Sequence, residues 1–313
     1  MNNKRILVTG GAGFIGSNLT RYLSETQNHV TILDDLSTGR KENIEDLLNK
    51  NKIEFVEGSI TDLDLLQDTF QNIEYIFHEA ALPSVPRSIK DPLTTNQVNI
   101  NGTLNVLLAA KDQGVKKVIY ASSSSVYGDT PTLPKLETMT PHPLSPYAIT
   151  KLTAEYYCQV FTDVFHLPTV ALRYFNVYGP RQDPSSQYAA VIPKFITSIM
   201  NNQSPIIYDD GEQTRDFTYI ADVIQANILA AESNATGVFN AAGGKQITIN
   251  ELANTIMKIC GTTIEKTYTE SRPGDIKHSH ADSSKAHNTF GFTLQYDIEK
   301  GLKETIEWYQ KQQ

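Results

Sequence analysis

Four short stretches of this chain carry residue types whose spacing suits one kind of chemistry. Tyr147-x-x-x-Lys151 places a phenol and an ammonium one helical turn apart on a shared face. A phenol ordinarily ionises near pH 10. A neighbouring ammonium favours the phenolate and makes Tyr147 usable as a base near neutrality. With 15 tyrosines in the chain such a pair is expected by chance, so it gains weight only in company. The company is Ser122-Ser123-Ser124-Ser125-Val126-Tyr127-Gly128, placed directly after an apolar run. A serine run is usually a loop, but at the carboxyl end of a parallel strand it lies where ligands bind.

The third stretch is Gly10-Gly11-Ala12-Gly13-Phe14-Ile15-Gly16, between an apolar strand pattern and a helix pattern. Glycines there allow a tight turn and close approach of backbone to a pyrophosphate, and the helix start offers free N–H groups. The fourth is Asp34-Asp35, about 20 residues beyond the glycines, the spacing at which a carboxylate meets the adenosine ribose hydroxyls. A carboxylate there repels a 2′-phosphate, so the expected cofactor is NAD rather than NADP. Arg40 and Lys41 follow closely and read as a solvated loop.

These residues need a scaffold. Short apolar runs at Arg5–Val8, His29–Leu33, Ile53–Val56, Tyr75–His78, Lys117–Ala121 and Thr169–Leu172 alternate with amphipathic stretches at Ile15–Ser24, Leu63–Phe70, Val98–Gln113 and Tyr147–Phe165. This alternation predicts an α/β, Rossmann-type, doubly wound parallel sheet with helices on both faces. Pro146 suits the first turn of the helix that carries Tyr147. Beyond residue 180 the rhythm loosens: helices are expected at Tyr188–Met200, with a kink at Pro193, and at Ile220–Glu232, Ile249–Cys260 and Ile298–Tyr309. The expected division is an NAD-binding domain over 1–180 carrying the catalytic residues, and a smaller mixed α/β lobe over 181–313 for the substrate. The boundary is approximate, and the chain is free to cross back.

Composition narrows the classes further. The 313 residues are 40% hydrophobic and 20% charged, with a formal net charge of −8, an ordinary globular profile. A nucleic-acid binder would carry a basic surplus, so no nucleic-acid partner is expected. No apolar run approaches the roughly 20 residues that span a bilayer, and Met1–Gly10 leaves no room for a signal-peptide apolar region. No membrane partner and a cytoplasmic location are therefore expected. Cys158 and Cys260 lie far apart without metal-type spacing. His278-x-His280 lacks a third ligand at fitting distance in sequence, so no metal is expected.

The glycine turn, the serine run and Tyr147–Lys151 together resemble the extended short-chain dehydrogenase/reductase family. The resemblance runs over nearly the whole chain and is nearest to the UDP-hexose 4-epimerases. It is carried also by Ala80–Asp91, Asn99-x-Asn101-Gly102-Thr103, Ser145–Lys151, Arg173–Gly179, Tyr188–Pro193, Arg215-Asp216-Phe217 and Arg272-Pro273-Gly274-Asp275. It implies that Ser123, Tyr147 and Lys151 are the catalytic triad, with Ser123 on the sugar 4-oxygen. It implies NAD contacts from Gly10, Gly13, Phe14, Ile15, Gly16, Asp34, Asp35, Ser59, Ile60, Ala80 and Asn99, besides Tyr147 and Lys151. It implies a UDP-sugar held by Ser84, Ser124, Ser125, Asn176 and the backbone near Ala190 and Val191. Arg215 and Arg272 would clamp the diphosphate, as guanidinium forks do, and Asp275 would take a ribose hydroxyl.

Two positions depart from the family pattern. Ser59 stands where relatives often have an acid for the adenine amino group, and Pro83 where a smaller or basic residue is common. The residue seven after the clamping arginine borders the sugar C2 substituent in this family; counting from Arg272 gives Ser279, small enough to leave room for an acetamido group. The resemblance thus implies NAD-dependent C4 epimerisation, first of UDP-N-acetylglucosamine/UDP-N-acetylgalactosamine, with UDP-glucose/UDP-galactose as further substrates. The absence of a carboxylate at Ser124-Ser125 argues against dehydratases and decarboxylases. UDP-glucuronate 4-epimerase is the alternative, followed by a non-catalytic NAD sensor, a class that tends to lose the Tyr or Lys present here. The resemblance also implies a homodimer joined through helices 98–113 and 147–165.

Overall fold

A computed structural model describes residues 1–184, 190–271 and 277–312. Strands β1 (Arg5–Thr9), β2 (His29–Asp34), β3 (Glu54–Glu57), β4 (Tyr75–His78), β5 (Lys117–Ser123) and β6 (Thr169–Tyr174) form a parallel sheet. A seventh strand, Gly237–Ala241, pairs with β6, giving the order Gly237–Ala241, β6, β5, β4, β1, β2, β3. The fold is the expected doubly wound Rossmann-type α/β arrangement. The seventh strand comes from the less regular half, so the chain does return to the sheet.

Both faces of the sheet are apolar because strand side chains alternate. Ile6, Val8, Ile32, Phe77, Ile119 and Val170 belong to one buried cluster, against helices Phe14–Ser24 and Ile220–Glu232. Leu7, Leu33, Ile76, Val118, Tyr120 and Ala171 belong to the other, against helices Thr103–Asp112 and Pro146–Phe165. Among the described residues no helix is long and apolar enough to cross a membrane.

Two helices differ from expectation. The stretch expected as one α-helix over 98–113 contains a π-helical turn, Gln97–Gly102, before the α-helix Thr103–Asp112. The buried Asn99 lies in that turn. Its carboxamide accepts from the Leu82 backbone N–H at 2.8 Å and donates to the Leu82 carbonyl at 3.2 Å and to Thr150 at 3.1 Å. The helix expected from Tyr188 spans Val191–Met200, with residues 188 and 189 outside the described range. Pro193 falls in its first turn, where no intrahelical N–H bond is lost, so no kink is required.

The helix Pro146–Phe165 is started by Ser145, whose hydroxyl accepts from the Ala148 N–H at 3.1 Å, and by Pro146 at the first position. It is fastened to the sheet by a buried ion pair. Glu155 takes two bonds from Arg173 of β6, at 2.9 and 2.7 Å, and one from the Ser122 hydroxyl of β5. Arg173 also lies 4.6 Å over the Tyr127 ring, and the Tyr127 hydroxyl donates to Asn240 on the seventh strand at 2.7 Å. Arg173→Met would strand the Glu155 charge among apolar groups. The expected cost is about 3–5 kcal/mol, visible as an early thermal or denaturant transition; a loss within about 1 kcal/mol would mean that water already reaches Glu155.

Candidate active site

The carboxyl ends of β1, β2, β4, β5 and β6 open into one cavity. Its walls include the Gly10–Gly16 turn, Asp34, Asp35, Ile60, Ala80 and, at the other end, Ser122, Tyr147 and Lys151. The strand-end rule for parallel sheets accounts for this gathering.

The glycine turn is shaped by close approach. Gly10 adopts φ +69°, and a Cβ there would stand 2.7 Å from the Ala80 nitrogen; a Cβ on Gly16 would stand 2.1 Å from the Gly10 carbonyl oxygen. Helix Phe14–Ser24 then begins at Gly13 without a side-chain cap, which leaves its first N–H groups to face an anion. The buried Asp34 accepts from the Ala12 N–H and from the Leu36 N–H, each at 2.9 Å. It thus orders the turn as well as lining the cavity, and each carboxylate oxygen retains a second acceptor site. Burial raises its pKa. A backbone cradle that side chains would fill, an anion-facing helix start and a carboxylate at the second strand fit NAD on this chain's own geometry.

At the other end the Ser123 side chain stands beside the Tyr147 phenol and favours its ionised form. The Ser123 hydroxyl also accepts from the Ser125 N–H at 3.2 Å and from the Ser125 hydroxyl at 2.9 Å. Ser124 and Ser125 open a short helical turn, Ser124–Tyr127. Lys151 is buried; its ammonium donates to the Ala121 carbonyl at 2.7 Å and stands 5.9 Å from the Tyr147 ring centroid. Burial lowers Lys151 to about 8, and burial also raises Tyr147 above its ordinary value. The expected easing of phenol ionisation by Lys151 is therefore outweighed by desolvation in the chain alone. A cationic nicotinamide is the further positive charge that would oppose it.

A second cavity, of about 560 Å³, lies beyond β6 and contains Asn176, Ala190, Val191 and Arg215 together. Asn176 holds a left-handed conformation, φ 38°, and donates to the Asp216 carbonyl at 2.9 Å and to the Ser279 hydroxyl at 3.3 Å. The Ser279 N–H bonds the Thr214 carbonyl, and Arg215 donates to the Thr214 and Lys277 carbonyls, so 277–279 runs beside Arg215. Arg272 and Asp275 lie outside the described residues.

Three expected contact residues make side-chain bonds within the chain. Asn99 bonds Leu82, which lines the cofactor cavity, and Thr150. The Ser59 hydroxyl is 3.0 Å from that of Thr61. Ser84, at φ 100°, caps the short helix Val85–Lys90 through the Arg87 N–H. Besides the residues assigned from the sequence, Glu79 and Tyr174 line the cofactor cavity, and Tyr178, Tyr208 and Phe217 line the second. Glu79 follows β4 directly, so the strand-end rule would have found it. His278 and His280 bond Thr214 and Gly244, and among the described residues no group of three His, Cys, Asp or Glu is arranged to hold a metal.

Comparison with known proteins agrees with this architecture. The profile of the NAD dependent epimerase/dehydratase family matches residues 6–242. The putative UDP-glucose 4-epimerase of Methanocaldococcus jannaschii is 39% identical over 305 residues, covering 97% of each chain. The structure of UDP-N-acetylglucosamine 4-epimerase from Methanobrevibacter ruminantium M1, in complex with UDP-N-acetylmuramic acid, superposes with a TM-score of 0.96 at 46% identity, covering 100% of both chains. That of UDP-glucuronic acid 4-epimerase from Bacillus cereus, with UDP-glucuronic acid and NAD, gives 0.91 at 35% identity, covering 99% of this chain and 100% of that one. By sequence, fold and cofactor cavity, this chain belongs to the NAD dependent epimerase/dehydratase family, and NAD is its cofactor.

Proposed function

We propose that the protein epimerises a UDP-hexose at C4, with UDP-N-acetylglucosamine/UDP-N-acetylgalactosamine as the first pair and UDP-glucose/UDP-galactose as a second. The observation that carries this reading is that two residues only two positions apart at the end of β6 each line one of the two cavities. Tyr174 borders the cofactor cavity with Tyr147 and Lys151, and Asn176 borders the second cavity with Arg215. A nucleotide held in the second cavity would extend its sugar toward Tyr147. NAD, when bound, supplies the hydride acceptor and donor. Tyr147 takes and returns the 4-hydroxyl proton, and Ser123 hydrogen-bonds the 4-oxygen. Inversion needs both faces of the sugar presented in turn, so the chain must grip the nucleotide firmly and the sugar loosely. Asn176, Arg215 and the backbone at Ala190 and Val191 take the first task, joined by Arg272 and Asp275.

The deciding assay incubates the protein separately with UDP-N-acetylglucosamine, UDP-glucose and UDP-glucuronate and resolves the 4-epimers. Product from the first, lost by about 10²–10⁴-fold in Tyr147→Phe, is the expected outcome. Product from UDP-glucuronate alone would favour the alternative substrate. No turnover of any sugar by a protein that retains NAD would leave the sensor reading.

Ser279 tests the C2 assignment. Its hydroxyl accepts from Asn176, a residue that lines the second cavity. Ser279→Tyr is expected to suppress turnover of the N-acetylated pair much more than that of the unacetylated pair, because steric exclusion acts on only one substrate. Equal loss on both pairs would make Ser279 a structural residue.

The homodimer is supported by an apolar stripe on helix Pro146–Phe165. Ile149, Tyr156, Val160 and Val164 are 50%, 56%, 46% and 61% exposed, and their spacing of seven and four places them along one face. Leu93, on the element that leads into helix 98–113, is 83% exposed. Burying both helices against a second copy removes this surface from water, and two-fold dimers are the commonest soluble oligomers. Light scattering at micromolar concentration is expected to give twice the monomer mass, and Val160→Lys with Val164→Lys to give the monomer.

A further inference from the structure

Glu79 lies at the carboxyl end of β4, among the walls of the cavity that contains Tyr147 and Lys151. One oxygen of its carboxylate accepts from the Tyr174 hydroxyl at 2.9 Å. That hydroxyl in turn accepts from the Asn227 amide at 2.8 Å, and the Asn227 carbonyl oxygen, at 3.2 Å, is a more distant second acceptor for its proton than Glu79. The donor that fixes Glu79 is neutral. Glu155, the other carboxylate acting on Lys151, is opposed by the Arg173 guanidinium. The remaining groups around Lys151 bring no negative charge near neutrality. Tyr120 and Cys158 are held protonated by burial, Tyr147 likewise, and His78, between Thr9 and Thr103, is held neutral.

We propose that Glu79 is a positioning residue for the reaction, the counter-charge across the cavity that keeps the Lys151 ammonium protonated beside Tyr147. This rests on the reading of Tyr147 and Lys151 as the catalytic pair. The ordinary electrostatics agree in sign. Burial pushes Glu79 up to about 7 and Lys151 down to about 8, and each charge favours the other. Between those values both are ionised. Below them Glu79 is protonated and the counter-charge is lost; above them the ammonium itself is lost. The Asn227–Tyr174 chain serves to aim the carboxylate.

The test reads Lys151 directly. Full-length, nucleotide-free protein is acetylated with acetic anhydride across a pH series, and the Lys151 peptide is quantified by mass spectrometry. In Glu79→Gln the midpoint for Lys151 is expected to fall by about one pH unit, and to stay near wild type in Glu79→Asp. The alkaline limb of the turnover profile moves the same way, with KM for the UDP-sugar little changed. Tyr174→Phe keeps the carboxyl but removes its donor, so Glu79 ionises later and Lys151 shifts in the same direction by less; this variant decides the matter should Glu79→Gln not fold. An unchanged Lys151 midpoint in folded Glu79→Gln, or equal shifts in the Gln and Asp variants, overturns the proposal. A wild-type protein that turns over no UDP-sugar would remove the epimerase reading and leave the labelling result standing.

Discussion

The arrangement depends on one buried ion pair. Glu155 and Arg173 are both almost fully enclosed, and neither charge is tolerable there without the other. Their geometry couples three elements. Glu155 sits two turns along the helix from Tyr147, Arg173 one residue before Tyr174, and Ser122 one residue before Ser123. Ser122 of β5 bonds Glu155 of the helix, and Ser123 follows it at the strand end, beside the Tyr147 phenol. The same carboxylate thereby ties the helix to two adjacent strands.

Around this anchor the polar groups divide into those kept neutral and those kept charged. His78 is lowered to about 3 by burial, with Lys151 nearby as a second cause, and two threonine hydroxyls satisfy its ring nitrogens. It packs as a neutral side chain. Lys151 instead retains an ammonium because a carbonyl accepts from it and carboxylates face it. An enclosed cavity strengthens each such interaction, so small rearrangements of Glu79 or Tyr174 carry large electrostatic consequences.

The π-helical turn at Gln97–Gly102 shows how the helix layer adapts to the cavity. The wider turn accompanies a side chain, Asn99, that reaches both the Leu82 backbone and Thr150, and π-turns recur at functional sites. Thr150 also bonds the Tyr147 carbonyl at 2.8 Å. The wall that follows β4 and the first turn of the catalytic helix are thus held through one carboxamide.

What the sequence by itself determined is local. Gly16 is required by close approach to the Gly10 carbonyl within seven residues, the Tyr147–Lys151 pair by helical periodicity, and the strands by apolar runs between turns. Each follows from forces between near neighbours, so each is legible in order along the chain. Tertiary structure decided what depends on distant partners. Tyr174 meets Glu79 across 95 positions and Arg173 meets Glu155 across 18; no periodicity announces either. The seventh strand was hidden for the same reason, since Gly237–Ala241 is a short apolar run whose meaning appears only beside β6. The bonds of Asn99 to the Leu82 backbone and to Thr150, 17 and 51 positions away, are likewise invisible along the chain. Which side chains enter a cavity is settled by strand register and helix rotation, and those are global properties of packing rather than of any one segment.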